Sequence, residues 1–323
     1  MNKIFSRRQF LAGTASASLA LGAGTLLNGC GVLVKSGDAD RVPNSSGTER
    51  PRMNVPANAC DAHIHIADPR FAAVNANAPI SAGMTVDDYR KLQARNGTVR
   101  TVVIQPKVYG TNNDCTLDAV KQLGSQGRGI AVLHPDVTDA ELQRLHAGGI
   151  RGIRFSVWNP DNAVASIDMI EPLAVRISEL GWHVQLHMSG DQIVDNQALI
   201  GRLPAPVVFD HMGRLPPSQG TAHPAFAVIA KLIERDKAWV KLAGAYLNTE
   251  IGPPAYADST RVAKAWVDVA PERLVWGSDW PHVTEKTEKP DDAQLLDLLL
   301  AWAPDEAVRK GILVDNPARL YQF

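Results

Sequence analysis

The chain has few cysteines and no excess of charge of either sign. Its 3 cysteines show no metal-binding or disulfide spacing, so Cys60 and Cys115 are expected to be buried thiols. The 33 basic residues nearly balance the 34 acidic ones, which leaves a formal net charge of -1. Because such a chain does not attract a polyphosphate, the expected partner is a small molecule and not nucleic acid.

Long apolar runs are also missing. No segment offers about 20 uninterrupted apolar residues, so no membrane span is expected. Hydrophobic residues make up 45% of the 323-residue chain and charged residues 21%, which is enough apolar material for a large core. This composition excludes disordered and collagen-like proteins and is typical of a globular enzyme.

Residues 1–29 are predicted to form a twin-arginine export signal. Arg7 and Arg8 stand before an uncharged stretch rich in alanine, glycine, serine and threonine, and the segment has no acidic residue. An amphipathic first helix is the alternative interpretation. The stretch ends in Leu-Asn-Gly before Cys30, which resembles a lipoprotein cleavage box, so Cys30 is a candidate lipid anchor. The mature protein is then expected in the periplasm.

Residues 30–56 are predicted to be a flexible tether, and residues 57–323 a single domain. The tether is rich in Ser, Gly, Pro, Asn and Asp and lacks a periodic apolar face. After it, short β-branched runs alternate with longer amphipathic runs, which predicts an α/β fold, a single (β/α)8 TIM barrel. Capping pairs mark helix starts at Thr85 and Thr138. The predicted strands are 60–66, 99–105, 129–133, 150–155, 182–187, 206–211, 238–242 and 274–276.

A doubly wound open sheet is the alternative architecture. It requires a glycine-rich phosphate loop after the first strand, where this chain has His-Ile-His-Ile-Ala-Asp instead. The barrel is therefore favoured, and a barrel of this kind carries its active site at the C-terminal ends of the strands.

Side chains able to bind a metal or transfer a proton gather at those predicted strand ends. His63 and His65 lie two residues apart, so both face the same side of the first strand. His187 ends the fifth strand, His211 follows the sixth, and Asp279 follows the eighth. Each residue alone has a structural interpretation, such as a hydrogen-bonded core histidine or a helix cap. Together they could hold a divalent metal with one position open for water.

Five motifs in this order resemble the amidohydrolase superfamily, over residues 60–317. The resemblance is greatest to the branch that contains 2-pyrone-4,6-dicarboxylate lactonase, 4-sulfomuconolactone hydrolase and D-galactarolactone isomerase. It implies an amidohydrolase-like barrel. The motifs are residues 61–65 (DAHIH), 151–155 (RGIRF), 209–214 (FDHMGR), 240–246 (VKLAGAY) and 275–282 (VWGSDWPH).

The resemblance implies roles for individual residues. Asp279 matches an aspartate that takes a proton from water and returns it to the leaving oxygen. His63, His65 and His211 match residues that bind metal in most of the superfamily and polarise the substrate carbonyl without metal in the dicarboxylate lactonase. Arg154 matches an arginine that binds a substrate carboxylate, a task for which a planar guanidinium is suited. A structural salt bridge is its alternative role.

Three features depart from the lactonase pattern. Arginines expected after the fourth and seventh strands are replaced near Trp158 and Leu247, which argues against the pyrone dicarboxylate itself. His187 stands where relatives tend to have glutamine, so it would restore a metal ligand. Asp279 is retained where the isomerase has asparagine, which favours hydrolysis over isomerisation.

The predicted activity is hydrolysis of an anionic unsaturated lactone, bearing a carboxylate or a sulfonate, such as a muconolactone or pyrone from the breakdown of an aromatic compound. Asp279 is the predicted general base. The alternatives are a sugar-acid lactone isomerase, a metal-dependent decarboxylase and a non-enzymatic binding lipoprotein. The predicted substrate-binding residues are Arg154, Lys107, Tyr109, Tyr246 and His282.

The predicted cofactor is one divalent metal ion, with Zn²⁺ as the preferred ion. Metal-free catalysis stays open as an alternative. Imidazole and carboxylate groups are ordinary ligands of zinc. Whether the chain forms a homo-oligomer is also left open. The predicted ligands are His63, His65, His187, His211 and Asp279.

Overall fold

The computed structural model describes residues 41–75 and 80–323. The predicted signal and Cys30 lie outside the described residues. Within the described part, no helix is long and apolar enough to cross a membrane. Eight parallel strands form one sheet in which neighbours along the chain are also neighbours in the sheet. The strands are β1 (Cys60–Ile64), β2 (Arg100–Ile104), β3 (Gly127–Ala131), β4 (Ile150–Ser156), β5 (His183–His187), β6 (Val207–Phe209), β7 (Ala238–Ala243) and β8 (Leu274–Gly277).

Each strand is followed by at least one α-helix, because parallel neighbours can be joined only by a crossover connection. Two short helices follow β5 and three follow β8, the last two of which are joined by a π-helical turn, Gly311–Asp315. The helices are α1 (Val86–Asn96), α2 (Asp114–Leu123), α3 (Asp139–Ala147), α4 (Ile170–Ser178), α5 (Gly190–Asp195), α6 (Gln197–Arg202), α7 (Pro224–Glu234), α8 (Ala257–Val269), α9 (Asp292–Trp302), α10 (Glu306–Lys310) and α11 (Asn316–Tyr321).

Two backbone hydrogen bonds join β1 to the segment after β8 and close the barrel. The N–H of Asp279 donates to the carbonyl of His63, and the N–H of His65 donates to the carbonyl of Trp280, both over 2.9 Å. Gly277 allows this approach, because a β-carbon on it would lie only 2.6 Å from Cβ of His63. The closed eight-stranded sheet confirms the predicted (β/α)8 barrel.

A β-bulge in β1 separates Asp61 from the two histidines. Strict alternation would place Asp61, His63 and His65 on one face, but the pairing of β1 with β2 shifts its register within the strand. Asp61 instead faces helix α1, where its carboxylate accepts hydrogen bonds from Tyr89 over 3.3 Å and from the Ser278 hydroxyl over 2.6 Å. The bulge leaves the two histidines facing the interior.

The predicted helix starts are confirmed at α1 and in part at α3. The hydroxyl of Thr85 accepts a hydrogen bond from the N–H of Asp88, and the N–H of Thr85 donates one to the Asp88 carboxylate. At the other end of the helix, Gly97 is the C-cap, with a φ of 76°. Thr138 accepts a bond from the N–H of Glu141 over 3.1 Å. The Glu141 carboxylate does not reach back, because it binds an arginine one turn further on. Local caps could therefore be predicted from sequence spacing.

The last helix closes the N-terminal end of the barrel. Tyr321 is completely buried and packs with the interior residues Cys60 and Val208. Its ring meets the ring of His183 edge-on at 5.5 Å between centroids. Cys60 and Cys115 are buried free thiols, as predicted. The barrel core thus ends on an aromatic side chain that comes from the C-terminus.

Residues 41–56, the second part of the predicted tether, pack against the barrel. The carbonyl of Pro43 accepts a hydrogen bond from the indole N–H of Trp280 over 2.7 Å. The guanidinium of Arg95 donates to the hydroxyl of Ser45 over 2.7 Å. The tether prediction is corrected for these residues, because partners distant in the sequence hold them and local composition does not reveal such partners.

Substitution of Tyr321 tests how this end of the barrel is closed. Its hydroxyl is buried without a hydrogen-bond partner among the described residues, so Tyr321→Phe should leave the melting temperature unchanged or raise it. Tyr321→Ala removes the ring and should cost about 3 to 5 kcal/mol. Thermal unfolding followed by circular dichroism measures both variants. A phenylalanine variant as unstable as the alanine variant would contradict this account.

Candidate active site

Two histidines of β1 face the interior at the C-terminal end of the barrel. Nδ1 of His65 lies 2.9 Å from the carbonyl oxygen of Ile104. A carbonyl only accepts, so Nδ1 carries the hydrogen and Nε2 presents its lone pair to the site. Burial lowers the pKa of His65 to about 4 and the pKa of His63 well below its usual value. Both imidazoles are therefore neutral at pH 7, which is the form that binds metal ions.

Asp279 lies beside these histidines in a left-handed backbone conformation, with a φ of 65°. Its Oδ1 is 3.4 Å from Nε2 of His63 and 3.7 Å from Nε2 of His65. Its Oδ2 accepts the hydroxyl hydrogen of Tyr246 over 2.6 Å. Burial opposes ionisation, but the nearby imidazoles and the Tyr246 hydroxyl outweigh it and lower the pKa of Asp279. The carboxylate is ionised and keeps one oxygen available for a proton.

Asp210 is a buried anion that anchors Arg154. Its Oδ2 accepts hydrogen bonds from Nε of Arg154 over 2.9 Å and from Gln185 over 3.1 Å, and its Oδ1 lies 3.4 Å from Nδ1 of His63. Burial would raise the pKa of Asp210, but Arg154 and its other polar neighbours hold it well below its usual value. Among the described residues neither Nη nitrogen of Arg154 has an acceptor. The salt bridge therefore fixes the guanidinium and leaves its outer edge for an anion.

A buried lysine that the sequence motifs did not single out lies next to Asp210. Nζ of Lys241 donates to the carbonyl of Ala62 over 2.9 Å and to Gln185 over 2.8 Å, and it is 3.8 Å from Oδ1 of Asp210. Burial lowers the pKa of Lys241 to about 8. A lone lysine within the apolar strand β7 was the available signal, because a charge is rarely buried there without a partner.

His187 and His211 extend the cluster to four imidazoles. The ring centroid of His211 lies 4.9 Å from that of His63 and 5.1 Å from that of His187. Nδ1 of His187 is 3.0 Å from the hydroxyl of Ser156, and its ring stacks on Trp158 at 6.1 Å. His211 has a φ of 50°, which lies outside the range of an extended strand. Strand β6 therefore ends at Phe209, two residues before the predicted boundary.

The donor atoms of this cluster fit a divalent cation. Several of them are buried without a hydrogen-bond partner among the described residues, namely Nε2 of His63, Nε2 of His187 and Nδ1 of His211. Buried polar atoms are normally paired, and a cation would pair these. Two groups of residues have donor atoms that lie within 4.8 Å of one another: His63, His65 and Asp279 form the first, and His63, Asp210 and His211 form the second. His187 belongs to neither group, so its role as a metal ligand stays a prediction.

Three cations flank the histidines and suit an anionic ligand. Nζ of Lys107 donates to Asn162 over 2.6 Å, and burial and the charge of Arg154 lower its pKa. The guanidinium of Arg214 lies 4.5 Å from the ring centroid of Trp158. Arg214 ends the motif at residues 209–214 and had no predicted role, although its position three residues after the candidate ligand His211 was a signal. Clustered cations of this kind attract carboxylates and sulfonates.

Three predicted substrate contacts have partners within the protein. The hydroxyl of Tyr109 donates to the carbonyl of Asp68 over 2.7 Å and accepts from its N–H over 2.8 Å. Tyr246 binds Asp279, and the completely buried His282 binds Tyr246. The polar atoms of Tyr109 and His282 thus have partners within the protein, and their contacts with substrate stay predictions.

Comparison with known proteins agrees with this geometry. A family described as Amidohydrolase matches residues 60–323. The 4-sulfomuconolactone hydrolase of Rhizobium radiobacter is 35% identical over 273 residues, which are 83% of this chain and 91% of that protein. The 2-pyrone-4,6-dicarboxylate hydrolase of Comamonas testosteroni is 34% identical, with 84% of this chain and 92% of that protein covered. The D-galactarolactone isomerase of Agrobacterium fabrum is 30% identical, with 88% and 98% covered.

A solved structure shows the same fold. The crystal structure of an Agrobacterium tumefaciens protein in its apo form superposes with a TM-score of 0.80 at 29% identity, and the match covers 87% of this chain and 98% of that one. The family match spans every strand of the barrel, and three relatives are at least 30% identical over most of their length. The chain therefore belongs to the amidohydrolase family.

Proposed function

We propose that the protein hydrolyses an anionic, unsaturated lactone. The observation that carries this proposal is the ionised Asp279 carboxylate, which has one oxygen held by Tyr246 and the other beside His63 and His65. Ester hydrolysis requires a base within reach of a water and polar groups that stabilise charge on the carbonyl oxygen. A protein that only binds its ligand has no need of such a base.

In the proposed reaction, water attacks the ring carbonyl carbon while Oδ1 of Asp279 takes one of its protons. The tetrahedral intermediate then breaks its bond to the ring oxygen, which leaves as an enolate stabilised by conjugation. Asp279 returns its proton to that leaving group, so the base is regenerated in each cycle. The product is the open-chain acid, which loses its own proton to solvent.

The anionic group of the substrate is proposed to lie against Arg154. The Nε bond to Asp210 fixes the guanidinium, and its two Nη nitrogens can form a bidentate pair with a carboxylate or sulfonate. Lys107, which is close enough to Arg154 for that charge to lower its pKa, and Arg214, which lies over Trp158, add further positive charge. The same cations would disfavour a neutral lactone, because they would remain unpaired in its complex.

His63, His65, His211 and Asp279 are proposed to hold one divalent cation, with zinc as the preferred ion. Neutral imidazoles and an ionised carboxylate are the protonation states that zinc requires. Asp210 lies behind His63, where a carboxylate orients a ligating imidazole. When bound, the cation supplies Lewis-acid polarisation of the ester carbonyl.

The names of the relatives support a lactone as the substrate class. Two are named as hydrolases and one as a lactone isomerase. Isomerisation is the second candidate, because the isomerase is 30% identical over 88% of this chain. An isomerase moves the acyl group between hydroxyls of the substrate and incorporates no water.

Isotope labelling separates the two candidates, and one substitution tests the base. Hydrolysis of 4-sulfomuconolactone in H₂¹⁸O should place one labelled oxygen in the product, measured by mass spectrometry. Asp279→Asn should lower kcat roughly 10²- to 10⁴-fold, because the amide cannot take a proton from water. The exposed Asp195→Asn is the matched control and should keep full activity. Unlabelled product would favour isomerisation, and an active Asp279→Asn enzyme would contradict the role of Asp279.

We further propose that the protein is exported through the twin-arginine route and anchored by a lipid at Cys30. The paired arginines and the residues before Cys30 support this proposal. The full-length protein expressed in a Gram-negative host should fractionate with membranes, and Cys30→Ser should move it to the soluble periplasmic fraction. Replacement of Arg7 and Arg8 by lysine should retain it in the cytoplasm. Wild-type protein found only in the cytoplasm would contradict export.

A further inference from the structure

A cavity at the N-terminal end of the barrel, opposite the candidate active site, is lined by positive charges. It lies between helices α2 and α3 and the starts of strands β3 and β4. Its volume of about 570 Å³ is in the range of sites that bind small molecules. We call it the basic cavity. Its charged lining residues are Lys121, Arg128, Arg144, Arg151 and a single acidic residue, Asp118.

Two of these five charges are neutralised by partners within the protein. The guanidinium of Arg144 lies 3.0 Å from the carboxylate of Asp114 and 2.7 Å from that of Glu141. The carboxylate of Asp118 accepts a hydrogen bond from Nη2 of Arg70 over 2.6 Å. The net charge of the basic cavity therefore comes from its other three basic residues.

Both remaining arginines are held by carbonyl oxygens. Nε of Arg128 donates to the carbonyl of Tyr321 over 3.2 Å, and its Nη2 donates to that of Gln322 over 2.6 Å. Nη1 of Arg151 donates to the carbonyl of His146 over 3.0 Å. Such bonds fix a guanidinium in place, but a carbonyl is a neutral acceptor and does not cancel the charge. The two arginines are thus positioned without being paired.

The positive charge of the basic cavity exceeds what surrounds it. Burial and the charges of Arg151 and Arg100 lower the pKa of Arg128, and burial lowers the pKa of Arg151. In the part of the chain that the structure describes, neither arginine has a carboxylate at ion-pair distance, and Lys121 has no hydrogen-bond partner. The C-terminal ends of α2 and α3 supply about half a negative charge each, so about two of the three positive charges stay unbalanced.

We propose that the basic cavity binds a phosphate monoester group. Such a group carries between about 1.5 and 2 negative charges at pH 7, which matches the unbalanced positive charge. Nη2 of Arg151 and Nζ of Lys121 have no acceptor among the described residues and are the donors that face this ligand. Arginine binds phosphate oxygens in pairs, and lysine binds them as a point charge. A carboxylate has one charge only and should bind more weakly.

Isothermal titration calorimetry with inorganic phosphate tests the proposal at about 0.15 M salt, where purely long-range attraction is screened. Lys121→Gln should weaken binding roughly 3- to 10-fold, because one exposed charged donor is lost. Arg151→Gln should weaken it roughly 10- to 100-fold. Lys264→Gln is the matched control, because Lys264 is an exposed lysine on helix α8, and it should keep the wild-type affinity. Circular dichroism checks that each variant is folded.

Two further variants separate this cavity from the candidate active site, which also contains cations. Lys107→Gln removes a cation beside Arg154 and should leave the affinity measured for the basic cavity unchanged. Asp279→Asn should abolish lactone hydrolysis and leave phosphate binding intact. The inference is therefore independent of the proposed function, and each can fail without the other.

Vesicles distinguish the two sources of a phosphate monoester, a soluble ester and a lipid headgroup. Full-length Cys30→Ser protein is used, because a lipid at Cys30 would itself bind vesicles. Sedimentation with vesicles of phosphatidylcholine and phosphatidic acid, weakened by Lys121→Gln, would identify a lipid headgroup. Binding of glycerol 3-phosphate in solution without sedimentation would identify a soluble ester.

Three results would overturn the proposal. The first is a folded wild-type protein that binds neither inorganic phosphate nor phosphatidic acid vesicles at about 0.15 M salt. The second is an affinity that stays the same in both Lys121→Gln and Arg151→Gln. The third is an affinity that falls in Lys107→Gln and not in Lys121→Gln, because the anion would then lie at the candidate active site.

Discussion

Closure of the barrel between β1 and the segment after β8 is the constraint on which the candidate site depends. The backbone bond from Asp279 to His63 joins the two edges, and the side chains of the same two residues then lie 3.4 Å apart. Gly277 allows the approach, and the bulge after Asp61 turns the histidines inward. A main-chain interaction thus sets the separation of the base and the first imidazole.

The charges buried beneath the site determine its protonation states. Arg154 and Lys241 surround Asp210, so three charged groups are kept inside the barrel by mutual compensation. The two cations also disfavour a positive charge on the neighbouring histidines, in addition to burial. The result is a set of neutral imidazoles beside an ionised Asp279. This combination favours a cation at the histidines and an anion at the outer edge of Arg154.

The order of the strands and the residues at their ends could be predicted from the sequence, because both depend on local patterns. Apolar runs gave the eight strands, and alternation placed His63 and His65 on one face. The partners of Tyr246, His282 and residues 41–56 could not be predicted, because they lie far away in the chain and meet only when the barrel closes. Lys241 was missed for a similar reason: an interior charge is explained only by the residues that pair with it.

The metal content of the purified mature domain tests the central claim most directly. Inductively coupled plasma mass spectrometry should find about one zinc ion per chain in the wild-type protein, because the donor set suits that ion. The ion should be absent from His65→Gln, which lacks one ligand of the group formed with His63 and Asp279. Wild-type protein that holds no metal and still hydrolyses a lactone in the presence of a chelator would contradict the proposed zinc site and leave the histidines to polarise the carbonyl without a metal.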